Sequence, residues 1–202
     1  MLQIRDKMET LTAVIDKIYT VEEYFELERQ SDVRHEFVHG KLYEMPGESK
    51  IANKIAGNIY IELRRIFDDT ESDVFQHDVK MVVRDGKIYR YPDVVVAADG
   101  SSDEDLFHLR QPLIAVEVFS EGSEHRDNVI KLREYTTIPT MNYYLTVSQD
   151  EVFVQFFYRN GGGKWQSTFY DDIDEVIELP LYKMILSLRQ IYYNIKFPKT
   201  KV

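Results

Sequence analysis

Two carboxylates stand where the chain should be apolar. Asp93 opens the run "PDVVVAA", and Glu117 sits inside "PLIAVEVFS". Both segments are nearly continuous apolar runs, the pattern of strands buried on both faces, and aspartate is a poor strand former. An unpaired carboxylate in such a place is strongly unfavourable, so each needs a partner. Two chemistries meet that need. One is a buried salt bridge, with Arg90, Arg110 or Lys131 as the cation. The other is a shared divalent metal, because two carboxylates and a backbone carbonyl are hard oxygen ligands suited to Mg²⁺ or Mn²⁺. Strand alternation puts Ala115, Glu117 and Phe119 on one face and Ile114, Val116 and Val118 on the other.

The elements that must position these groups follow from local patterns. "YTVEEYFELERQ" places Thr20 at a helix N-cap with Glu23 three residues on, a capping box. His39-Gly40 between two short alternating runs predicts a hairpin. From Lys50 to about Phe67, Ile51, Ile55, Ile59, Leu63 and Ile66 recur at helical spacing and predict the longest helix. "DVFQHDVKMVVRDGKIYRY" reads as strand, Asp85-Gly86 turn, strand. "SEHRDNVIKLREYTTI" reads as a helix with Pro139 just beyond it. "MNYYLTVS", "EVFVQFFYR" and "KWQSTFY" are aromatic and β-branched, hence strands, with the glycines at 161–163 as a hairpin tip. "LPLYKMILSLRQIYYNI" is expected to close the chain with a helix. The order predicts an α/β or α+β domain, a central mixed β-sheet flanked by helices.

Bulk properties bound the function. The 202 residues suffice for one well-cored domain. There is no cysteine, which removes disulfides, thiolate zinc sites and cysteine nucleophiles and suits a cytoplasmic location. The opening residues mix charges into every turn and carry no signal-peptide core, and no apolar run is long enough to span a membrane. The net charge of −10 counts against a general nucleic-acid binder, whose affinity comes from Lys and Arg neutralising phosphates. It leaves room for a nuclease whose acidic centre is compensated by metal.

With these residues in view, the chain resembles the Uma-two family of endonuclease-like proteins in the PD-(D/E)XK nuclease superfamily. The resemblance is carried by "YRYPDVVV" followed by Glu117 in "AVEVFS". It continues through "SEHRDNVIKLREY" and "IPTMNYYLTVSQDEVFVQFFYR", and reaches back to "YTVEEYFELE", "HEFVHGKLYEM" and "NKIAGNIYIELR". It implies a restriction endonuclease-like αβββαβ core in a single domain over 19–197, with an N-terminal extension over 1–18 and a tail over 198–202. It implies DNA phosphodiester hydrolysis with Mg²⁺ or Mn²⁺ held by Asp93, Glu117 and the Val118 carbonyl. It also implies a homodimer.

The departures bear on activity. The superfamily's lysine lies two residues after the Glu, and here that position is Phe119. Lys131 is the nearest substitute: Asp127, Lys131 and Tyr135 share a helix face at i, i+4 spacing, so Lys131 either reaches the site or pairs with Asp127. Glu36 matches a family acidic position, as a further metal or water ligand or as a strand-edge charge paired with Arg34 or Lys41. Ala52 stands where a His is common, and Asn142 where a Glu is common.

The histidines show no paired metal spacing. His125 reads as a solvated helix start, Ser120 as a cap, the "YYL" and "FVQFFY" aromatics as core or dimer interface, and Trp165 as a hairpin clamp. Arg64, Arg65, Lys80, Arg84, Lys87 and Arg90 either flank a cleft or form solvated faces. Three readings follow: a metal-dependent DNA endonuclease, a catalytically inactive binding or assembly module on the same fold, and a nuclease whose protein partner supplies the basic surface.

Overall fold

The computed structural model describes residues 17–45, 47–98, 106–120 and 124–197, and over 124–128 the backbone alone. Helix α1 (Val21–Gln30) starts at the expected box. Thr20 Oγ1 accepts from the Glu23 N–H at 3.2 Å, and the Glu23 carboxylate accepts from the Thr20 N–H at 3.0 Å. Strands β1 (His35–Val38) and β2 (Lys41–Glu44) form the expected hairpin. Its tip, His39 (φ 50) and Gly40 (φ 86), has the two positive φ angles that a two-residue hairpin turn of this hand requires. Gly40 also has no room for a side chain, since a Cβ there would sit 2.6 Å from Ile18 Cγ2. Helix α2 runs Lys50–Phe67 as the spacing predicts, and buries Ile55, Ile59, Leu63 and Phe67 along one stripe.

The stretch read as one strand before the Asp85-Gly86 turn is two. It divides into β3 (Asp73–Gln76) and β4 (Lys80–Arg84), and the break falls at His77 (φ 49) and Asp78 (φ 43). Two consecutive non-glycine residues in the left-handed region turn the chain out of one sheet and into another. Strands β5 (Ile88–Arg90) and β6 (Val94–Ala97) follow, then a two-residue β7 (His108–Leu109) too short to leave a pattern in the sequence. Next come β8 (Pro112–Phe119), α3 (Glu124–Tyr135), β9 (Tyr143–Ser148), β10 (Val154–Arg159) and β11 (Trp165–Tyr170).

The C-terminal segment departs from expectation. It forms the hairpin β12 (Val176–Leu179) and β13 (Met184–Ser187), with α4 (Leu188–Ile191) only a single turn. Pro180 starts a 3₁₀ turn that ends at Lys183 in the left-handed region (φ 53). Burial then alternates with period two through Met184, Ile185 and Leu186.

The sheets are mixed. A six-stranded sheet has the order β11-β10-β9-β8-β6-β3, with β8 and β9 parallel and the other pairs antiparallel. A five-stranded sheet has the order β2-β1-β5-β4-β7. One face of the larger sheet packs Val94, Val96, Ile114, Val116 and Leu145 against α2, α4 and the β12–β13 hairpin. Its other face packs Val95, Ala115, Tyr144 and Phe157 against Tyr135 of α3 and Met81 and Leu109 of the smaller sheet. Tyr24 of α1 covers the smaller sheet through Phe37, Val82 and Tyr89. Tyr143, Tyr144, Phe156 and Phe157 of the aromatic strands β9 and β10 are thus core, whereas β11 is largely exposed. Trp165 packs on Arg159 and donates from its indole N–H to the Thr136 carbonyl at 3.1 Å, tying β11 to the end of α3. Among the described residues no helix is long and apolar enough to cross a membrane.

Candidate active site

Register brings Asp93 and Glu117 together. Val94 pairs with Val116 across the antiparallel β6–β8 ladder, so Asp93 and Glu117 face each other one step further along it. They share the face that carries Val95 and Ala115. Asp93 Oδ2 accepts from the Val118 N–H at 2.5 Å, and the Asp93 carbonyl accepts from the His77 N–H at 3.0 Å. A strand residue's N–H and C=O leave on the same side, so the Val118 carbonyl faces the β6 side as well. Asp93 is half-buried and forms no ion pair among the described residues. Burial pushes its carboxyl well above the usual carboxylate range, and the charges of Glu117 and Glu48 push the same way.

Glu117 is held differently. Lys131 Nζ donates to its Oε2 at 2.9 Å and the Tyr135 hydroxyl to its Oε1 at 2.7 Å. Burial nevertheless raises its pKa, against the opposing charge of Lys131. The salt-bridge alternative therefore holds for Glu117, with Lys131 as cation, but not for Asp93. Lys131 turns inward. It lies 3.4 Å from Glu36 as well as against Glu117, so its carboxylate partners come from β8 and β1. Glu36 is buried, and its partners are Lys131 and Arg90 rather than Arg34 or Lys41; Arg90 donates to it at 2.5 Å. Arg34 instead meets Asp78 at 3.7 Å. Arg90 also makes a two-pronged pair with Glu134, each arm 2.9 Å. Glu36, Arg90, Glu134, Lys131, Tyr135 and Glu117 thus form one largely buried chain of ion pairs and hydrogen bonds. The side chains of His125 and Asp127, and the segment joining Ser120 to α3, lie outside the described residues.

Burial alone would raise the pKa of Glu36, but Lys131 and Arg90 together more than reverse that, and its carboxyl titrates below the ordinary value of 4.5. A carboxylate whose folded pKa is depressed stabilises the fold above its unfolded pKa, and that stability is lost as pH falls through the folded value. Tm is therefore expected to drop on acidification below pH 4.5. Glu36→Gln should start from a lower Tm and show a shallower acid loss. An unchanged acid slope in melting experiments would mean that Glu36 is not a stabilising anion.

Two residues of the site have no motif in the sequence. The ligand atoms of Glu48, His77 and Asp93 lie within 4.8 Å of one another. Glu48 precedes α2, His77 occupies the left-handed break between β3 and β4, and Asp93 leads into β6, so three elements converge. Asn53 braces them, donating to Glu48 at 3.1 Å and lying 3.4 Å from His77 Nε2. His77 Nδ1 is 3.6 Å from Glu48. Spacing rules for paired ligands could not find His77, because its partners lie in other elements. The pair of positive φ angles is the local mark of the place, as strained backbone often is at sites. Ala52 and Asn142, the two departures expected from the resemblance, serve structure. Ala52 is buried in the face of α2, and Asn142 donates to the Tyr182 hydroxyl at 3.0 Å.

A family profile described as "Putative restriction endonuclease", Uma2, matches residues 21–189. The chain belongs to the Uma2 family. Two uncharacterised proteins of Synechocystis sp. (strain ATCC 27184 / PCC 6803 / Kazusa) are similar to it. The protein slr1290 is 27% identical over 176 residues, covering 87% of this chain and 92% of that protein. The protein sll1609 is 28% identical over 154 residues, covering 75% and 87%. Among solved structures, a "putative nuclease belonging to DUF820" from Anabaena variabilis ATCC 29413 superimposes with a TM-score of 0.67 at 15% identity, covering 86% of this chain and 97% of that one. This likeness supports the α+β fold, with central mixed sheets flanked by helices.

Proposed function

We propose that the protein is a divalent-metal-dependent nuclease that hydrolyses DNA phosphodiester bonds at Asp93. The observation that carries the reading is the state of that carboxylate: half-buried, without a cation of its own, and gathered with Glu48 and His77 beside Glu117. Carboxylate groups costly to bury without a counter-charge are what a divalent cation relieves. Asp93, Glu117 and the Val118 carbonyl would hold the ion, with Glu48 and His77 alongside. The oxygen donors suit Mg²⁺ or Mn²⁺, and the imidazole tilts the preference towards Mn²⁺. When bound, the cation lowers the pKa of a coordinated water and offsets charge growing on the phosphate oxygens.

The chain's own groups would do the rest. The Val118 N–H fixes one Asp93 oxygen. Lys131 and Tyr135 fix both oxygens of Glu117. Lys131 brings from α3 the positive charge that Phe119 does not supply from β8, and Glu36, itself fixed by Arg90, holds it in place.

A non-catalytic module on the same fold is the competing reading. It is favoured by the engagement of both Glu117 oxygens and by the net charge of −10. Incubation of the protein with supercoiled plasmid and with single-stranded DNA, in Mg²⁺ or Mn²⁺ against EDTA, separates the two. Nicking that requires the metal supports the nuclease. Intact DNA with either metal at every salt concentration supports the module.

A further inference from the structure

The cations expected to flank a cleft are mostly spent elsewhere. Arg64 pairs with Asp68 at 2.5 Å and lies 3.8 Å from Asp73, and Arg65 pairs with Glu62 at 2.7 Å. Arg90 is buried between Glu36 and Glu134, and Lys80 is buried with its ammonium 4.6 Å from the Tyr24 ring centre. Arg84 and Lys87 are exposed on the β4–β5 turn, at the opposite end of β4 from His77.

Lys50 and Lys54 are different. Both are exposed on the first turns of α2, at i, i+4 spacing on one face, and neither pairs with a carboxylate among the described residues. With Glu48, Ser49 and Asn53 they line a shallow open cleft of about 330 Å³. That cleft runs directly into the acidic cluster, since Glu48 belongs to the cluster and Asn53 touches both Glu48 and His77. We propose that Lys50 and Lys54 form a subsite for a backbone phosphate of a nucleic-acid strand lying next to Asp93, an inference that rests on the nuclease reading.

The electrostatics favour such a subsite. A polyanion approaching a chain of net charge −10 at a point where carboxylates gather is repelled unless local cations offset them. Two lysines on one helix face, contiguous with the cluster, supply that offset where it is needed. Lysine is a flexible point charge, so it grips phosphate without reading bases. The subsite positions the strand and carries no sequence preference.

The test is the salt dependence of binding. Fluorescence anisotropy of a labelled DNA duplex, with Ca²⁺ present, compares the native protein with a Lys50→Gln/Lys54→Gln variant between about 50 and 200 mM salt. The variant should bind more weakly by the same factor on unrelated sequences. Its slope of log K against log salt should be flatter by about 0.9 for a duplex, and about 0.7 for a single strand, the change for one phosphate. A Lys41→Gln/Lys164→Gln variant makes the same charge change away from the cleft and should keep the native slope. Excess short unlabelled duplex should displace the probe at concentrations where inorganic phosphate does not; equal displacement by phosphate would overturn the backbone assignment. Equal slopes for all three folded proteins, or equal flattening in both variants, would overturn the subsite. Native protein that cleaves DNA while the Lys50/Lys54 variant keeps its slope and KM leaves the nuclease reading standing without the subsite. A lysine-dependent slope with no cleavage leaves the subsite standing and removes the nuclease.

Discussion

Replacing Asp93 by Asn is expected to lower the rate of metal-dependent DNA cleavage on the order of 10³-fold, the loss of several kcal/mol of charge stabilisation at the reacting phosphate. Fold should survive, because an Asn side-chain oxygen can still accept from the Val118 N–H. Stability without metal should stay the same or rise. The native carboxylate sits half-buried beside Glu117 and Glu48 with no ion-pair partner, and Lys131 offsets its charge only in part, so that charge works against the fold. Glu117→Gln should lower cleavage comparably but behave oppositely in stability. It breaks the charge-assisted bond from Lys131 at 2.9 Å and should cost about 1.5–3 kcal/mol. This opposite pairing of effects separates a functional carboxylate from a structural one. Equal destabilisation by both substitutions, measured by urea unfolding, would mean that Asp93 is an ordinary part of the core.

The second large effect falls on a residue distant from the reacting atoms. Arg90→Met should destabilise the protein by about 3–5 kcal/mol, because it leaves half-buried Glu134 without its cation and buried Glu36 with Lys131 alone. In a chain of this size that is a fall in Tm of roughly 10 °C. Most of the loss comes from the stranded carboxylates and little from the missing contact. Adding Glu134→Gln to Arg90→Met should therefore recover part of the stability, since Glu36 keeps Lys131. A double variant less stable than Arg90→Met would contradict this account of the network. Cleavage should also fall in Arg90→Met at temperatures where it remains folded, through the position of Lys131.

Much of this architecture is legible in the sequence, for identifiable reasons. Thr20 with Glu23 marks the start of α1 because a capping box is a local device. The bounds of α2 follow from apolar spacing sustained over many residues. Asp93 and Glu117 stand out because charges inside β-branched and aliphatic runs conflict with burial. What the sequence hides is set by tertiary partners. His77 and Asp78 lie inside an unbroken strand-like pattern, and only the sheet they leave and the sheet they enter force their backbone into the left-handed region. Glu48 and His77 reach Asp93 from separate elements, so no spacing betrays them. The helical spacing of Asp127, Lys131 and Tyr135 offers Lys131 a neighbour on its own helix, and only the packing of α3 against β8 and β1 directs it to Glu117 and Glu36. The β12–β13 hairpin resembles a helix in composition, and the turn at Pro180–Lys183 decides the matter.

The proposed role of Asp93 is to anchor a divalent-cation centre. It is tested most directly by thermal melting of the native protein and of Asp93→Asn during titration with Mn²⁺. A cation that binds only the folded state at about 100 times its Kd adds about 2.7 kcal/mol, which is roughly 5–10 °C in Tm for a chain of this length. That rise is expected in the native protein and a flat curve in Asp93→Asn. Parallel curves, whether both rise or both stay flat, would contradict it.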